Sequence, residues 1–142
     1  MNGNSMKTMF SSASDDWATP QDFFDELDQE FDFTLDPCAS EINNKSAKFY
    51  TKEQDGLLQN WGGERVFCNP PYGRGIEKWV EKCSKCELAV MLIPARTDTK
   101  WFHEYIYGKA EVRFIKGRLK FGDQKNSAPF PSMVVVFRSK SC

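Results

Sequence analysis

Phe23, Phe24, Leu27 and Phe31 recur at the spacing of one helical face, with Thr19-Pro20 just ahead of them and Asp22 in the first turn. The pattern predicts a helix capped by Thr19 with Pro20 as its first residue, because a threonine oxygen accepts the loose amide hydrogens of a first turn and proline loses nothing there. Phe33-Thr34-Leu35 reads as a short strand that stops at Asp36-Pro37, since proline lacks the donor a central strand needs. Arg65 to Cys68 predicts another strand, broken by Pro70-Pro71 and Gly73. From Gly75, Ile76, Trp79, Val80 and Cys83 fall at i, i+3, i+4 and i+7, the signature of a helix. The unbroken apolar run Leu88 to Ile93, closed by Pro94, is that of a strand buried on both faces. Trp101, Phe102, Tyr105 and Ile106 predict a helix closed near Gly108. Glu111 to Ile115, Leu119 to Phe121 and Met133 to Phe137 read as further strands, the first two joined across Lys116-Gly117-Arg118.

Helix, strand, strand, helix, strand, helix and then strands is the order of an α/β sandwich, with a mostly parallel sheet and some antiparallel pairing near the C-terminus. In such open sheets ligands bind beyond the carboxyl ends of the strands. Asp36-Pro37 and Asn69-Pro70 each follow a predicted strand, so their side chains are expected at one edge. A chain of 142 residues suits one domain, and residues 15–142 are read as that domain behind a polar, disordered or loosely attached leader at 1–14. With no run of about 20 apolar residues and no secretory pattern, the expectation is a cytoplasmic protein that keeps off membranes. Five cysteines without regular spacing are expected to be free thiols.

Charge is divided along the chain. Residues 1–60 carry 12 acids and 4 bases, whereas residues 94–142 carry 4 acids and 10 bases. Two readings fit: a basic C-terminal third that meets a polyanion, or solvated faces that mix on folding.

Asn69-Pro70-Pro71-Tyr72 gathers an amide oxygen, a carbonyl held outward by rigid proline geometry and an aromatic ring. An amine on an aromatic ring is a poor nucleophile because its lone pair is delocalised. Two acceptors aimed at its N–H bonds pull the nitrogen towards tetrahedral geometry and stabilise the charge that develops on methyl transfer. Tyr72 would stack on the planar substrate, a contact worth about 1–3 kcal/mol for nucleobases. The same residues would also make a stiff turn after a strand.

The four residues match the catalytic motif of amino-group methyltransferases, which act on adenine in DNA or RNA or on protein glutamine. Asp15-Asp16-Trp17-Ala18-Thr19-Pro20, Thr34-Leu35-Asp36-Pro37-Cys38-Ala39-Ser40, Asp55-Gly56-Leu57, Ile93-Pro94-Ala95-Arg96-Thr97-Asp98-Thr99 and Ala128-Pro129-Phe130-Pro131-Ser132 complete a resemblance to the phage-type DNA N6-adenine-methyltransferase family from Asp15 to Phe137. The resemblance implies a Rossmann-like S-adenosylmethionine-dependent fold in a bacterial or phage-infected cell. It also implies methyl transfer to the exocyclic amine of adenine in DNA, single-stranded or flipped out of the duplex. Trp17, Thr19 and Pro20 would pack around S-adenosylmethionine, and Asp36, Pro37 and Cys38 would lie beneath its methionine part. Asp55 would meet its adenine, and Asn69, Pro70 and Tyr72 would do the chemistry. Arg96, Asp98, Arg118 and Ser132 are candidates for touching the substrate. The alternatives are the same transfer to RNA adenine or protein glutamine, or a silent DNA-binding decoy. The chain departs from many methyltransferases in having no Gly-x-Gly after its first strand, which also argues against nicotinamide binding.

Cys83-Ser84-Lys85-Cys86 has C-x-x-C spacing, but it sits at a helix end and lacks a second pair for zinc. His103, without cysteine or carboxylate partners, reads as structural or exposed, and no metal is expected.

Overall fold

A computed structural model describes residues 17–40, 43–121 and 127–139. The leader expected at 1–14, together with Asp15 and Asp16, lies outside the described residues. The elements are α1 (Gln21–Phe31), β1 (Leu35–Ala39), β2 (Lys48–Thr51), β3 (Arg65–Cys68), α2 (Ile76–Ser84), β4 (Leu88–Pro94), a π-helical segment Phe102–Ile106, β5 (Glu111–Phe114) and β6 (Ser132–Arg138). Two short 3-10 turns, Lys52–Gln54 and Gly56–Leu58, link β2 to β3.

The six strands form one sheet in the order β2-β1-β3-β4-β6-β5. β2, β1, β3 and β4 run parallel, whereas β6 is antiparallel to both β4 and β5. This is the expected α/β sheet with its antiparallel pairs near the C-terminus. Neighbouring residues of β3 face opposite ways. Phe67 meets Phe24 of α1 at a ring distance of 5.0 Å, while the Cys68 thiol meets Cys83 of α2, so the helices cover opposite faces. β4 is buried from Ala89 to Pro94, as its continuous apolar run requires.

Four local expectations are corrected. Helix α1 begins at Gln21 with Pro20 at the cap position and no side-chain cap, because the Thr19 hydroxyl is bonded to Asn69 instead. β1 starts after Phe33 and runs through Asp36-Pro37 to Ala39. Its pairing with β3 is registered at Leu35↔Val66, and its pairing with β2 is irregular between Asp36 and Ala39, so Pro37 sits where a ladder donor is not required. The helix expected around Trp101 to Ile106 is π-wound, with the Tyr107 amide donating to the Phe102 carbonyl at 2.8 Å. Leu119 to Phe121 form no strand; Phe121 is buried as a loop residue between Trp17 and Tyr72. β2 was not anticipated.

Candidate active site

Strand order turns at β1: the chain goes to β2 on one side and to β3 on the other. In doubly wound sheets the crevice opens at such a reversal, beyond the carboxyl ends of the strands. A cavity of about 430 Å³ lies there, bounded by Trp17 to Thr19, by the end of β1 from Asp36 to Ser40, by Asp55-Gly56 and by Asn69 to Pro71.

The β1 wall is held by a buried carboxylate. Asp36 Oδ1 accepts from the Cys38 amide at 3.2 Å and Oδ2 from the Lys45 amide at 2.9 Å, tying both main-chain positions to one side chain. Burial raises the Asp36 carboxyl above the ordinary range, and the two amides with the Lys45 charge oppose that rise.

Asp55 takes a left-handed conformation, φ 54°, and accepts from the Leu57 amide at 3.2 Å. Its turn is fixed from three sides. Buried Trp61 Nε1 donates to the Gly56 carbonyl at 2.9 Å, Lys82 Nζ of α2 donates to the Leu57 and Gln59 carbonyls at 2.8 and 2.6 Å, and the Trp61 ring stacks on Trp79. Gly56 lies against Pro37: a Cβ there would stand 2.2 Å from the Pro37 carbonyl oxygen. Absence of a side chain thus lets the Asp55 turn close on the end of β1.

Asn69 follows β3 at the cavity wall. Its Nδ2 donates to the Trp17 carbonyl and, at 2.8 Å, to Thr19 Oγ1, and its Oδ1 accepts from the Tyr72 hydroxyl at 2.7 Å. Tyr72 Oη is also 3.0 Å from the Leu92 carbonyl oxygen. Burial pushes the Tyr72 phenol well above its usual range, so it stays protonated as a donor. Tyr72 is 3% exposed and does not line the cavity; its ring packs edge-on against Phe121 and Phe130, both of which also pack against Trp17.

Of the residues singled out from sequence, Trp17, Thr19, Asp36, Pro37, Cys38, Asp55, Asn69 and Pro70 come together around one cavity. Pro20 lies outside its lining. Arg96 and Asp98 are exposed beyond the carboxyl end of β4, and Arg118 is exposed near the Ala128 carbonyl. Ser132 is instead 1% exposed within β6, with its hydroxyl unpartnered. Sequence reading missed Lys45, Lys52, Phe67 and Trp79 in the wall. Trp79 was legible as a helix residue, but nothing in the spacing shows that the cavity lies against it.

Among the described residues no His, Cys, Asp and Glu group could hold a metal ion, and no helix is long and apolar enough to cross a membrane. Cys68, Cys83 and Cys86 are free thiols. Burial holds Cys68 and Cys83 well above the ordinary thiol range and pushes Cys86 up to about 12, so none of these supplies a thiolate near neutral pH. His103 is exposed, with Nε2 at 2.8 Å from the Thr97 carbonyl oxygen.

A family model described as DNA N-6-adenine-methyltransferase (Dam) matches residues 6–141. The DNA N-6-adenine-methyltransferase of Haemophilus phage HP1 (strain HP1c1) is 33% identical over 142 residues, covering 92% of this chain and 82% of that protein. The DNA N-6-adenine-methyltransferase of Escherichia phage T1 is 34% identical over 108 residues, covering 72% of this chain and 45% of that protein. A crystallised Thermoplasma acidophilum protein overlaps 72% of this chain and 55% of its own with a TM-score of 0.45 and 13% identity, too little to carry weight. By the extent of the family match and the identity to the HP1 protein, the chain belongs to the DNA N-6-adenine-methyltransferase (Dam) family.

Proposed function

We propose that the protein transfers the methyl group of S-adenosylmethionine to the exocyclic amine of adenine in DNA, with Asn69 Oδ1 and the Pro70 carbonyl as the acceptors that grip the amine. The observation that carries this reading is that Asn69 and Pro70 both line the cavity while Trp17 and Thr19 take the Asn69 amide nitrogen, which leaves Oδ1, already accepting from Tyr72, as its acceptor for an amine. A target N–H bonded to that oxygen and a second bonded to the Pro70 carbonyl would localise the nitrogen lone pair and stabilise the developing positive charge.

The cavity has the size of a small-molecule site and a lining that suits a purine joined to an amino acid. Trp17, Pro37, Cys38, Phe67 and Trp79 supply apolar surface, whereas Lys45, Lys52, Asp36 and Asp55 supply charge of both signs. Lys45 and Lys52 would face the cofactor's carboxylate. Thr19, Asp36, Pro37 and Cys38 would hold the methionine part and Asp55 the adenine, with Pro20 supporting the segment from behind. Bound there, S-adenosylmethionine supplies an activated methyl, so neither a metal nor a covalent nucleophile is required.

An adenine inside a duplex cannot reach this crevice, so the substrate is single-stranded or has its base flipped out. Tyr72, buried behind Asn69 with its ring against Phe121 and Phe130, would serve here through the hydroxyl it donates to Asn69 Oδ1. Arg96 and Arg118, exposed in the basic C-terminal third, would contact phosphates, with Asp98 two residues from Arg96 in the same exposed segment. Ser132, buried at the start of β6, would support the Phe130-Pro131 loop from behind.

The test is methyl transfer from labelled S-adenosylmethionine to mixed-sequence DNA with nucleoside analysis, and Asn69→Ala in parallel. The expected result is label in N6-methyladenine that disappears with Asn69→Ala. Cofactor binding with label only in RNA or in glutamine would overturn the substrate. Absence of cofactor binding would leave a silent DNA-binding fold.

A further inference from the structure

We propose that Thr19 and the Trp17 main-chain carbonyl are a positioning pair that fixes which way round the Asn69 amide lies, and that this pair makes asparagine, not aspartate, the workable residue at position 69. The inference rests on the methyl-transfer reading.

The oxygen and nitrogen of a side-chain amide are nearly alike in shape, so neighbours decide its orientation. On one side of Asn69 stands the Trp17 carbonyl oxygen, which can only accept, with Thr19 Oγ1 at 2.8 Å. On the other stands the Tyr72 hydroxyl, which donates at 2.7 Å. Both Nδ2 protons are thereby used, and Oδ1 keeps one lone pair beyond the one Tyr72 takes. A flipped amide would press Oδ1 against the Trp17 carbonyl and turn Nδ2 protons towards the target amine, setting donors against donors.

Thr19 is 5% exposed and stands just before α1, where its hydroxyl would ordinarily cap the first turn. The helix has no side-chain cap, and the hydroxyl is spent on Asn69 instead. An aspartate at 69 would be the stronger acceptor by charge. Its second oxygen, however, would face the Trp17 carbonyl, acceptor against acceptor, with only the Thr19 hydroxyl able to turn a proton towards it.

The experiment uses the full chain and compares Thr19→Ser, Thr19→Val and Asn69→Asp. It measures kcat and KM on adenine-containing DNA, calorimetric affinity for S-adenosylmethionine, thermal midpoint, and the Asn69 side-chain amide resonances by NMR. Thr19→Ser, which keeps the hydroxyl, should recover most of the kcat that Thr19→Val loses. Thr19→Val, the same shape without the hydroxyl, should fold and lose kcat by up to about 10²-fold through misplacement of the acceptor, a loss that exceeds any fall in cofactor affinity. The Asn69 amide protons should be protected from exchange in wild type and in Thr19→Ser and exposed in Thr19→Val; Asn69→Asp should fold, bind cofactor and turn over slowly. Wild-type kcat in Thr19→Val, a Thr19→Val loss confined to cofactor affinity, or full activity in Asn69→Asp would overturn the proposal. Should the wild type methylate no DNA, the methyl-transfer reading fails, while the NMR arm still decides whether Thr19 orients the amide.

Discussion

Gly56→Ala isolates the contact that closes the cavity. The added Cβ would lie 2.2 Å from the Pro37 carbonyl oxygen, 3.1 Å from its carbon and 3.2 Å from the edge of Trp79. Ordinary carbon–oxygen contacts begin near 3.3 Å, so the Asp55 turn and the end of β1 must separate by about 1 Å. Neither partner is a flexible side-chain tip; Pro37 is main chain in β1, and the turn is tied to Trp61 and Lys82. Overpacking of this kind costs about 1–3 kcal/mol. At roughly 4 °C per kcal/mol for a domain of this size, the thermal midpoint should fall by about 8 °C. Cofactor contacts that span both walls should loosen together, weakening affinity by about tenfold, or 1.4 kcal/mol. Differential scanning calorimetry and titration calorimetry with S-adenosylmethionine read both quantities. Gly62→Ala is the matched control, since its Cβ meets only the Asn60 side chain, whose oxygen is nearest at 3.1 Å. Equal midpoints and equal affinities for Gly56→Ala and wild type would refute the claim that this close approach shapes the pocket.

Asp36→Asn should cost about 1–3 kcal/mol and loosen cofactor binding, because an amide has one acceptor oxygen where the Cys38 and Lys45 amides need two; unchanged thermal stability at neutral pH would count against it. Asp36 also has a pH signature. Its carboxyl is raised by burial, so the folded state holds more protons than the unfolded between the ordinary aspartate range and the raised value, and stability falls as pH climbs through that window. Glu64 runs the other way. Hydrogen bonds from Lys48 and Thr34 lower its carboxyl, so its contribution is present above the ordinary glutamate range and lost as pH drops through the lowered value; Glu64→Gln should flatten that acid-side loss in a pH series of thermal melts. Tyr72→Phe should remove about 0.5–1.5 kcal/mol of stability by deleting the hydroxyl shared between Asn69 and Leu92, which chemical denaturation would measure.

The parts of the fold that could be read in the sequence are those where burial repeats at a fixed period. The α2 face Ile76, Trp79, Val80 and Cys83 and the apolar run of β4 are such cases, because core contact falls at regular intervals along them. β2 could not be read: Lys48 to Thr51 form a short edge strand, none of whose side chains is buried, so no alternation marks it. Leu119 and Phe121 alternate like a strand, yet what holds Phe121 is an aromatic cluster assembled from distant segments. Thr19 was misread because local chemistry favours a cap, and only the folded chain brings Asn69 within reach. The candidate site followed the same divide. Asn69, Asp36 and Asp55 were recoverable from short motifs and a family resemblance, whereas Lys45, Lys52 and Trp79 reach the cavity only through the crossover and helix packing.

The uneven strand pairing at the cavity has a consequence for how the molecule opens. β4 and β6 are zipped from Leu88↔Arg138 to Pro94↔Ser132, while among the described residues β1 is registered to β3 at Leu35↔Val66 alone. Amide hydrogen exchange should therefore divide the sheet into two cooperative blocks, β4-β6-β5 as the slow one and β1-β2 as the one that detaches first. A ligand in the crevice touches both sides of that seam, so binding would slow exchange in β1 and β2 more than anywhere else and turn a loosely sewn edge into part of the rigid whole.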